Sequence, residues 1–505
     1  MIISRRSLVQ GAMAAPFLSA SGRAQASAGI LRFGLTAWPP NLQPWVTTGQ
    51  SAGTVKLMLN RSLIGLDGKG QLKPELAESW AIDGDGAWVF KLRKDAFFHN
   101  GEPVTADDVK WSIEQIAGEK STAYMRGQFQ LVTKIETPDQ HTVRLVTKEP
   151  QATLPNWFIN YNMHIIWRKS APNEPIGAGP FRLVNQERGV WIEVAPFDKY
   201  YKKGLPKLKG IKFIAYPDDN LRFAALQSGD VDMIEYVPWQ SMSATENDPR
   251  LKLDSVEGPF MDVLFNGTKG PFSDARVRRA VAHAVKREDI VKVAFFGRGR
   301  PLEGVPIVEG TPWWDAELSR GWNYDPARAK KLLADAGVPN GFECTMLSTA
   351  QFGMHKDTAE IVQQYLAAIG IKTELKLPEW TTRVSLGVRG QYEIAIHGVS
   401  ADSNDPDGLA AIMDTTLSPS HGRSFGVAAP RTVAAFARGR AEFDQKKRVE
   451  IYKDMQRAAL EEVPMIGLAW RAQGYGMYKN VQGFSNMPGA LTSNSGAMLE
   501  ETFFG

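Results

Sequence analysis

Cysteine is nearly absent from this chain of 505 residues, which contains Cys344 alone. A single thiol excludes an internal disulfide and any metal site built from four thiolates. Histidine is scarce as well, and the seven histidines never occur in the H-x-x-x-H or H-E-x-x-H spacing. Those spacings place two metal ligands on one face of a helix. The sequence therefore contains no local signature of a metal site or of a bound cofactor.

Net charge and long apolar runs are also lacking. The formal net charge is +4, and hydrophobic residues make up 43% of the chain. A nearly neutral chain has no electrostatic attraction to nucleic acid. A membrane-spanning helix needs about 20 consecutive apolar residues, and no such run occurs. The composition is typical of a globular protein, and the length predicts two or three domains.

The N-terminus has the layout of an export signal. "SRRSLVQ" precedes the apolar run "GAMAAPFLSA" and the small residues "AQA", which predicts a signal peptide over residues 1–26. The adjacent Arg5 and Arg6 favour the twin-arginine route, although a chance arginine pair in an ordinary secretion signal is the alternative. Cys344 lies far from this segment, so no lipid anchor is expected at the mature N-terminus. We expect a free protein in the periplasm.

Helical and strand patterns alternate along the chain. "TADDVKWSIEQIAG" begins with Thr105 and Asp108 in a capping arrangement, and "DPARAKKLLADAG" has Asp325 as its cap. "AWVFKLRKD" alternates in the manner of a strand. This interleaving predicts α/β domains and argues against a helical bundle.

Two short motifs partly match known catalytic or metal-binding patterns. "GQSAG" matches the G-x-S-x-G pattern of a serine hydrolase with Ser51 as nucleophile, but it follows a segment rich in proline and tryptophan instead of a strand. "IHGVSADSNDPDG" offers Asp402 and Asn404 to a calcium loop, yet Pro406 and a misplaced Gly408 break that pattern. Neither pattern has the context that its chemistry needs, so a secreted serine hydrolase using Ser51 stays as the alternative of another class, and the chain has no phosphate-binding loop.

Seven blocks in order resemble the family 5 extracellular solute-binding proteins, the dipeptide-, oligopeptide- and nickel-binding components of ABC importers. The blocks are "PELAESWAIDGDGAWVFKLRKDAFFHNGEPVTADDVKWSIE", "GAGPFRL", "YYKKGLPKLKGIKF", "RFAALQSGDVDM", "LFNGTKGPFSDARVRRAVAHAVKRE", "YDPARAKKLLADAG" and "QQYLAAIGIKTEL". The resemblance implies a monomeric binding protein, not an enzyme, that delivers a solute to ABC permease subunits in the inner membrane. Nickel or a metal chelate bound through His397 or His421 is the alternative within this family.

The resemblance also implies an α/β fold of two lobes, of the cluster C type of periplasmic binding proteins. After the signal segment 1–26, the first lobe is expected over 27–263, with an extra subdomain near 53–167. The second lobe is expected over 264–473, and residues 474–505 return to the first.

The segment from Gly398 resembles a family motif of the form G-W-x-A-D-Y-x-D-P at the ligand cleft. The resemblance implies that Asp402 pairs with the ammonium group of a ligand. Here Val399 and Ser403 replace the aromatic residues of the motif, which leaves oligopeptides, opine-like conjugates and other cationic solutes open. The full set of expected ligand contacts is Gly398, Val399, Ser400, Ala401, Asp402, Ser403, Trp380, Trp38, Tyr124, Asn266 and Arg383, the last as a guess for the partner of a ligand carboxylate.

The twin-arginine prediction can be checked in cells. Replacing Arg5 and Arg6 with lysine should leave the precursor in the cytoplasm, because that export route requires the arginine pair. Cell fractionation followed by immunoblotting measures the result, with Arg23→Lys as the control outside the pair. Normal export of the double variant would assign the protein to the general secretion route.

Overall fold

The computed structural model describes residues 29–46, 49–123, 125–171 and 174–505. The expected signal peptide lies outside these residues. The strands in them are β1 (Ile30–Leu35), β2 (Ile64–Leu66), β3 (Leu72–Pro74), β4 (Ala77–Ile82), β5 (Trp88–Leu92), β6 (Val132–Asp139), β7 (Thr142–Thr147), β8 (Phe181–Glu187), β9 (Trp191–Pro196), β10 (Gly210–Ala215), β11 (Met233–Ile234), β12 (Leu251–Phe265), β13 (Gly299–Pro301), β14 (Phe342–Leu347), β15 (Ile371–Lys376), β16 (Ile394–Val399), β17 (Ile466–Tyr478), β18 (Val481–Gln482) and β19 (Phe503–Phe504).

The helices in the same ranges are α1 (Gln50–Leu59), α2 (Ala106–Ala117), α3 (Arg126–Phe129), α4 (Leu154–Trp157), α5 (Asp219–Ser228), α6 (Trp239–Asn247), α7 (Ala275–Ala284), α8 (Arg287–Ala294), α9 (Pro326–Asp335), α10 (Gly353–Ala368), α11 (Trp380–Val388), α12 (Ala410–Met413), α13 (Pro430–Ala441) and α14 (Gln445–Glu462). A long 3-10 segment, Gly489–Glu500, lies near the C-terminus.

Helices α2 and α9 begin at the capping residues that the sequence predicted. Thr105 and Asp108 form the capping box of α2, in which the Thr105 backbone N–H donates to Asp108 Oδ2 at 3.1 Å. The Asp325 carboxylate accepts from the Arg328 backbone N–H at 2.9 Å at the start of α9. These bonds satisfy N–H groups that have no partner within the helix. The predicted strand in "AWVFKLRKD" is β5.

One sheet of eleven strands runs through the molecule in the order β15-β14-β16-β12-β17-β11-β1-β10-β9-β8, with β13 paired to β17. Its two halves lie against two large hydrophobic cores. The first core includes Phe33, Ile113 and Met477, and the second includes Phe260, Ile396 and Leu468. β17 passes from the second core to the first, and β12 pairs with it in the antiparallel direction. The sheet therefore connects the two lobes without a break at its centre.

A smaller antiparallel sheet, in the order β4-β5-β7-β6, packs with α2 within the range expected for the extra subdomain. The segment after β17 returns to the first core through Val481, Leu491 and Leu499. The exact boundaries of the lobes stay a prediction.

Glu500 ties the end of this returning segment to the first lobe. Its carboxylate, which is 1% exposed, accepts hydrogen bonds at 2.7 Å each from Arg61, Tyr200 and Lys202. Burial alone would raise the pKa of Glu500, but Arg61 and Lys202 hold it well below its usual value. The carboxylate is therefore ionised and compensates the buried Arg61 guanidinium.

Glu500→Gln should lower the free energy of unfolding by about 3 kcal/mol, because it leaves buried positive charge without full compensation. Urea unfolding followed by circular dichroism measures the change. Glu501→Gln is the matched control, since that neighbouring side chain is 44% exposed, and it should cost less than about 0.5 kcal/mol. Equal stabilities of the two variants would contradict the anchoring role.

Candidate functional site

A cavity of about 320 Å³, called the smaller chamber below, lies between the two lobes at the end of β16. The second lobe contributes residues 397–402 to its wall, and the first contributes Gln50, Asn160 and Thr492. A second chamber of about 660 Å³ shares wall residues with the first. The shared residues are Gln50, Tyr236, Arg471 and Gln473. The two chambers thus adjoin at the centre of the molecule.

Six of the expected contact residues line the smaller chamber, namely Gly398, Val399, Ser400, Ala401, Asp402 and Trp380. Gly398 has no space for a side chain, because a Cβ atom there would lie 2.8 Å from the sulfur of Met261. This contact keeps the backbone of the motif close to the strand behind it. The geometry therefore presents the motif backbone and the Asp402 side chain to the chamber.

Two expected residues lie behind the chamber wall. The Arg383 guanidinium donates to the backbone oxygens of Ile396 at 2.9 Å and His421 at 3.0 Å, and its side chain is fully buried. Ser403 is buried and its hydroxyl donates to the Asp405 backbone oxygen at 3.4 Å. Neither residue is in the wall of either chamber, and their expected contact with a ligand stays a prediction.

Two other expected residues also lie elsewhere. Asn266 donates to the Gly390 backbone oxygen at 2.8 Å and accepts from Thr268, at a turn outside both chambers. Trp38 is half-buried against the first hydrophobic core. Neither side chain is in the wall of either chamber, and their expected contact with a ligand stays a prediction. Tyr124 lies outside the described residues.

The Asp402 carboxylate faces the chamber without an ion pair to any described residue. Its backbone N–H donates to the Gly408 backbone oxygen at 3.4 Å. Burial, reinforced by the nearby Asp407 carboxylate, raises the pKa of Asp402 to about 7. A cationic group in the chamber would favour the ionised form.

The same loop holds the two lobes together. The Ser400 hydroxyl donates to the Ala490 backbone oxygen at 3.1 Å, and the Ala490 N–H donates to Asn404 Oδ1 at 2.9 Å. The Thr153 hydroxyl donates to Asp407 Oδ2 at 2.8 Å. These bonds join the second lobe to the first, so the structure represents a closed arrangement.

Histidines also reach the chamber. His397 and His421 are in its wall, with ring centres 5.8 Å apart. The Nδ1 atom of His397 lies 3.0 Å from Asp262 Oδ1, and burial lowers the pKa of both histidines, that of His421 to about 3. Among the described residues, no group of three His, Cys, Asp or Glu side chains is arranged to hold a metal ion.

Ser51 is not placed as a nucleophile. Its hydroxyl is buried in α1 and donates to Glu235 Oε1 at 2.5 Å. Glu235 also accepts from Thr54 at 3.0 Å and from Thr36 at 3.0 Å. The serine therefore belongs to a buried hydrogen-bond network, where a substrate has no access.

Sequence reasoning missed the polar residues that β17 contributes to the chamber walls. Arg471 and Gln473 line both chambers, and they are 6% and 2% exposed. A signal was present, because "IGLAWRAQGYGMY" contains one charged residue in an otherwise uncharged strand. A lone charge in a buried strand indicates a functional position.

Comparison with known proteins identifies the family. The family model described as bacterial extracellular solute-binding proteins, family 5 (middle region), matches residues 71–419. The chain belongs to this family. The glutathione-binding protein GsiB of Pectobacterium atrosepticum is 28% identical, with 99% of each chain covered. GsiB of Escherichia coli is 27% identical over 88% of this chain and 90% of that protein.

Solved structures of related binding proteins have the same architecture. The periplasmic binding protein AgaA of A. tumefaciens, in complex with agropinic acid, is 37% identical and has a TM-score of 0.85 over 94% of this chain and 99% of its own. The binding protein DppA of Helicobacter pylori, in complex with a peptide, has a TM-score of 0.80 at 23% identity over 94% of this chain and 98% of its own. These similarities confirm the expected two-lobed α/β fold. They also confirm the prediction of a solute-binding protein.

Family 5 solute-binding proteins are periplasmic transport components. Over the described ranges, no helix combines the length and the apolar character needed to cross a membrane.

Asp402 should make the stability of the ligand-free protein depend on pH. Its pKa rises from 3.8 to about 7 on folding, so between these values the folded state holds one more proton than the unfolded state. Stability attributable to Asp402 should therefore fall as pH rises through this range, by up to roughly 1.4 kcal/mol per pH unit.

The Asp402→Asn variant should lack this component. Its stability relative to the native chain should increase from pH 4 to pH 7 and then level off, as measured by urea unfolding at each pH. Asp454→Asn, at an exposed ion-paired aspartate of α14, serves as the control. Parallel profiles for Asp402→Asn and the native chain would contradict the assignment.

Proposed function

We propose that this protein captures a peptide or a related amine-bearing solute in the cavity between its lobes and delivers it to an ABC permease. The observation that carries the proposal is the Asp402 carboxylate, which faces the smaller chamber without an ion pair to a described residue. A ligand ammonium group would supply the missing charge and would form a charge-assisted hydrogen bond there.

The wall of the chamber suits a solute with peptide-like groups. Gly398 and Ala401 offer backbone groups, and Trp380 offers an aromatic face. Backbone contacts recognise an extended ligand without regard to its side chains. Glutathione, the ligand in the name of one group of relatives, combines an ammonium group with peptide bonds and fits this description.

Delivery to a permease requires that the loaded protein differ in shape from the empty one. Ser400 donates a hydrogen bond to the first lobe, and Asn404 and Asp407 accept hydrogen bonds from it, which requires the two lobes to be in contact. Closure about a hinge is a common switching mode in proteins of this kind. We infer that a monomer, exported by the twin-arginine route, presents this closed face to the permease without enzymatic chemistry.

A nickel chelate is the second candidate ligand, and one observation favours it. His397 and His421 both reach the chamber wall. Burial lowers the pKa of each ring and leaves it neutral, the state in which imidazole binds metals.

A thermal-shift screen tests the proposal. Glutathione, agropinic acid, the peptide Ser-Thr-Ser-Ala, sugars and nickel chloride are each added to the purified protein, since a ligand that binds only the folded state raises the melting temperature. We expect an amine-bearing solute to give the largest shift. A response to nickel alone would favour the metal alternative, and no response to any solute would contradict the proposal.

Asp402→Ala should weaken binding of the responding amine by about 2 to 5 kcal/mol, because it removes the charged partner in a closed cavity. Isothermal titration calorimetry measures the loss, and Asp454→Asn controls for the removal of one negative charge. Unchanged affinity in Asp402→Ala would show that the ammonium group binds elsewhere.

A further inference from the structure

Arg471 is a buried cation at the point where the two chambers meet. Its side chain lines both chambers, and Nε and Nη1 have no hydrogen-bond partner among the described residues. The neighbouring Gln473 Nε2 is a further buried donor without an acceptor there. Buried polar groups in folded proteins are nearly always paired. The Tyr236 hydroxyl interacts with both side chains, but one hydroxyl oxygen cannot satisfy three donors, so this wall has donor groups for an acceptor that the protein does not supply.

The backbone around Arg471 fixes the direction of its side chain. On one side of β17, the residues Gly258 and Pro259 of β12 form a bulge opposite Arg471, between the pairs Glu257–Ala472 and Phe260–Trp470. On the other side Gly299 pairs with Arg471. Bulges occur next to binding sites, where they redirect side chains.

Gly299 cannot be replaced by a larger residue without strain. Its φ is +150°, and a Cβ atom there would lie 2.2 Å from the Trp470 backbone oxygen. The glycine allows β13 to approach β17 closely beside Arg471. Strands on both edges therefore hold the arginine backbone in place.

Tyr236 lies beside the guanidinium in a strained conformation. Its φ is +49°, which is uncommon for a residue other than glycine. The buried Arg222 holds this turn, because it donates to the backbone oxygens of Glu235 at 3.2 Å and Tyr236 at 2.8 Å. Strain maintained by surrounding contacts is concentrated at ligand sites.

Glu235 and Asp219, the carboxylates on the first-lobe side of Arg471, are already engaged. Glu235 accepts from Ser51, Thr36 and Thr54. Asp219, in the wall of the larger chamber, pairs with Arg222 at 2.6 Å. Among the described residues, no carboxylate forms an ion pair with Arg471. The buried Arg471 guanidinium therefore lacks a counterion within the described residues.

We infer that Arg471 is the anchor for a carboxylate or another anionic group of the ligand, with Gln473 as a second donor. The transported solute is then dipolar, with its ammonium group at Asp402 and its anionic group at the junction of the chambers. The remainder of the solute extends into the larger chamber. This inference rests on the proposed function and specifies its ligand class.

Calorimetric titration of three Arg471 variants tests the anchor. Glutathione, agropinic acid and Ser-Thr-Ser-Ala are titrated into the native protein, Arg471→Met, Arg471→Gln and Arg471→Lys. For the acid that binds, Arg471→Met and Arg471→Gln should weaken affinity by roughly 30-fold or more, and Arg471→Lys by less. The same acid converted to its ester or carboxamide should lose affinity for the native protein but not for Arg471→Met.

Arg300→Gln is the matched control. Arg300 lies on β13 opposite Trp470, its charge pairs with Glu257 and Glu309, and it lines neither chamber. It should leave affinity unchanged, which separates a direct contact from a general effect of positive charge.

A ligand-free measurement complements the titrations. Loss of a buried charge without a counterion should raise the melting temperature of ligand-free Arg471→Met above that of the native protein. A lower melting temperature in both Arg471→Met and Arg471→Gln, together with unchanged affinity, would assign Arg471 to the fold and overturn the inference. Binding of amines that lack an acidic group, without binding of the acids, would overturn it while the proposed function stands. Absence of binding by any solute in the screen would remove both.

Discussion

The antiparallel ladder between β12 and β17 is the constraint on which the rest of the structure depends. β17 begins in the second core with Ile466 and ends in the first with Met477. Because neighbouring strands occupy both of its edges, its side chains have fixed directions at the boundary between the lobes. A shift of one residue in register would turn Arg471 away from the chambers. The ladder therefore connects the lobes and also determines the chemistry of the cavity between them.

The sequence predicted much of the fold because the signals for it are local. Capping residues such as Thr105 and Asp325 act within one helical turn, and the hydrophobic periodicity that follows them is visible in a short window. The motif from Gly398 to Asp402 was expected from the family resemblance, and one strand end carries its residues to the same wall. In each of these cases, neighbours in the sequence are neighbours in space.

Other site residues could not be predicted, for a physical reason. Asn266 and Arg383 have polar side chains that satisfy nearby backbone groups, and the sequence does not distinguish such a role from ligand contact. Arg471 lies at the junction of the chambers beside a bulge of β12, which is more than 200 residues away in the chain. Its charge was visible in the sequence, but the geometry that gives the charge a role arises from tertiary pairing.

The three aspartates of one short loop have different roles because their neighbours differ. Asp405 pairs with Arg448 at 2.9 Å, and Asp407 pairs with Arg440 at 2.7 Å. These pairs fix the loop, and Asp407 also raises the pKa of Asp402. Asp402 alone of the three has no such pair among the described residues. Two carboxylates thus position the loop while the third remains available to a ligand.

The charged groups in the cavity make the closure of the two lobes depend on a bound ligand. A closed and empty cavity leaves Arg471 desolvated without a counterion and disfavours the ionised form of Asp402, whereas an open cleft exposes both groups to water. The hydrogen bond that Ser400 donates to the first lobe, and those that Asn404 and Asp407 accept from it, have the opposite effect and favour closure. A dipolar solute would compensate both charges only in the closed state, and a ligand shifts an equilibrium by its difference in affinity for the two states. The unpaired charges therefore lower the stability of the empty closed form. Because the closed form would then be populated mainly with ligand bound, a permease could recognise the loaded protein by its shape.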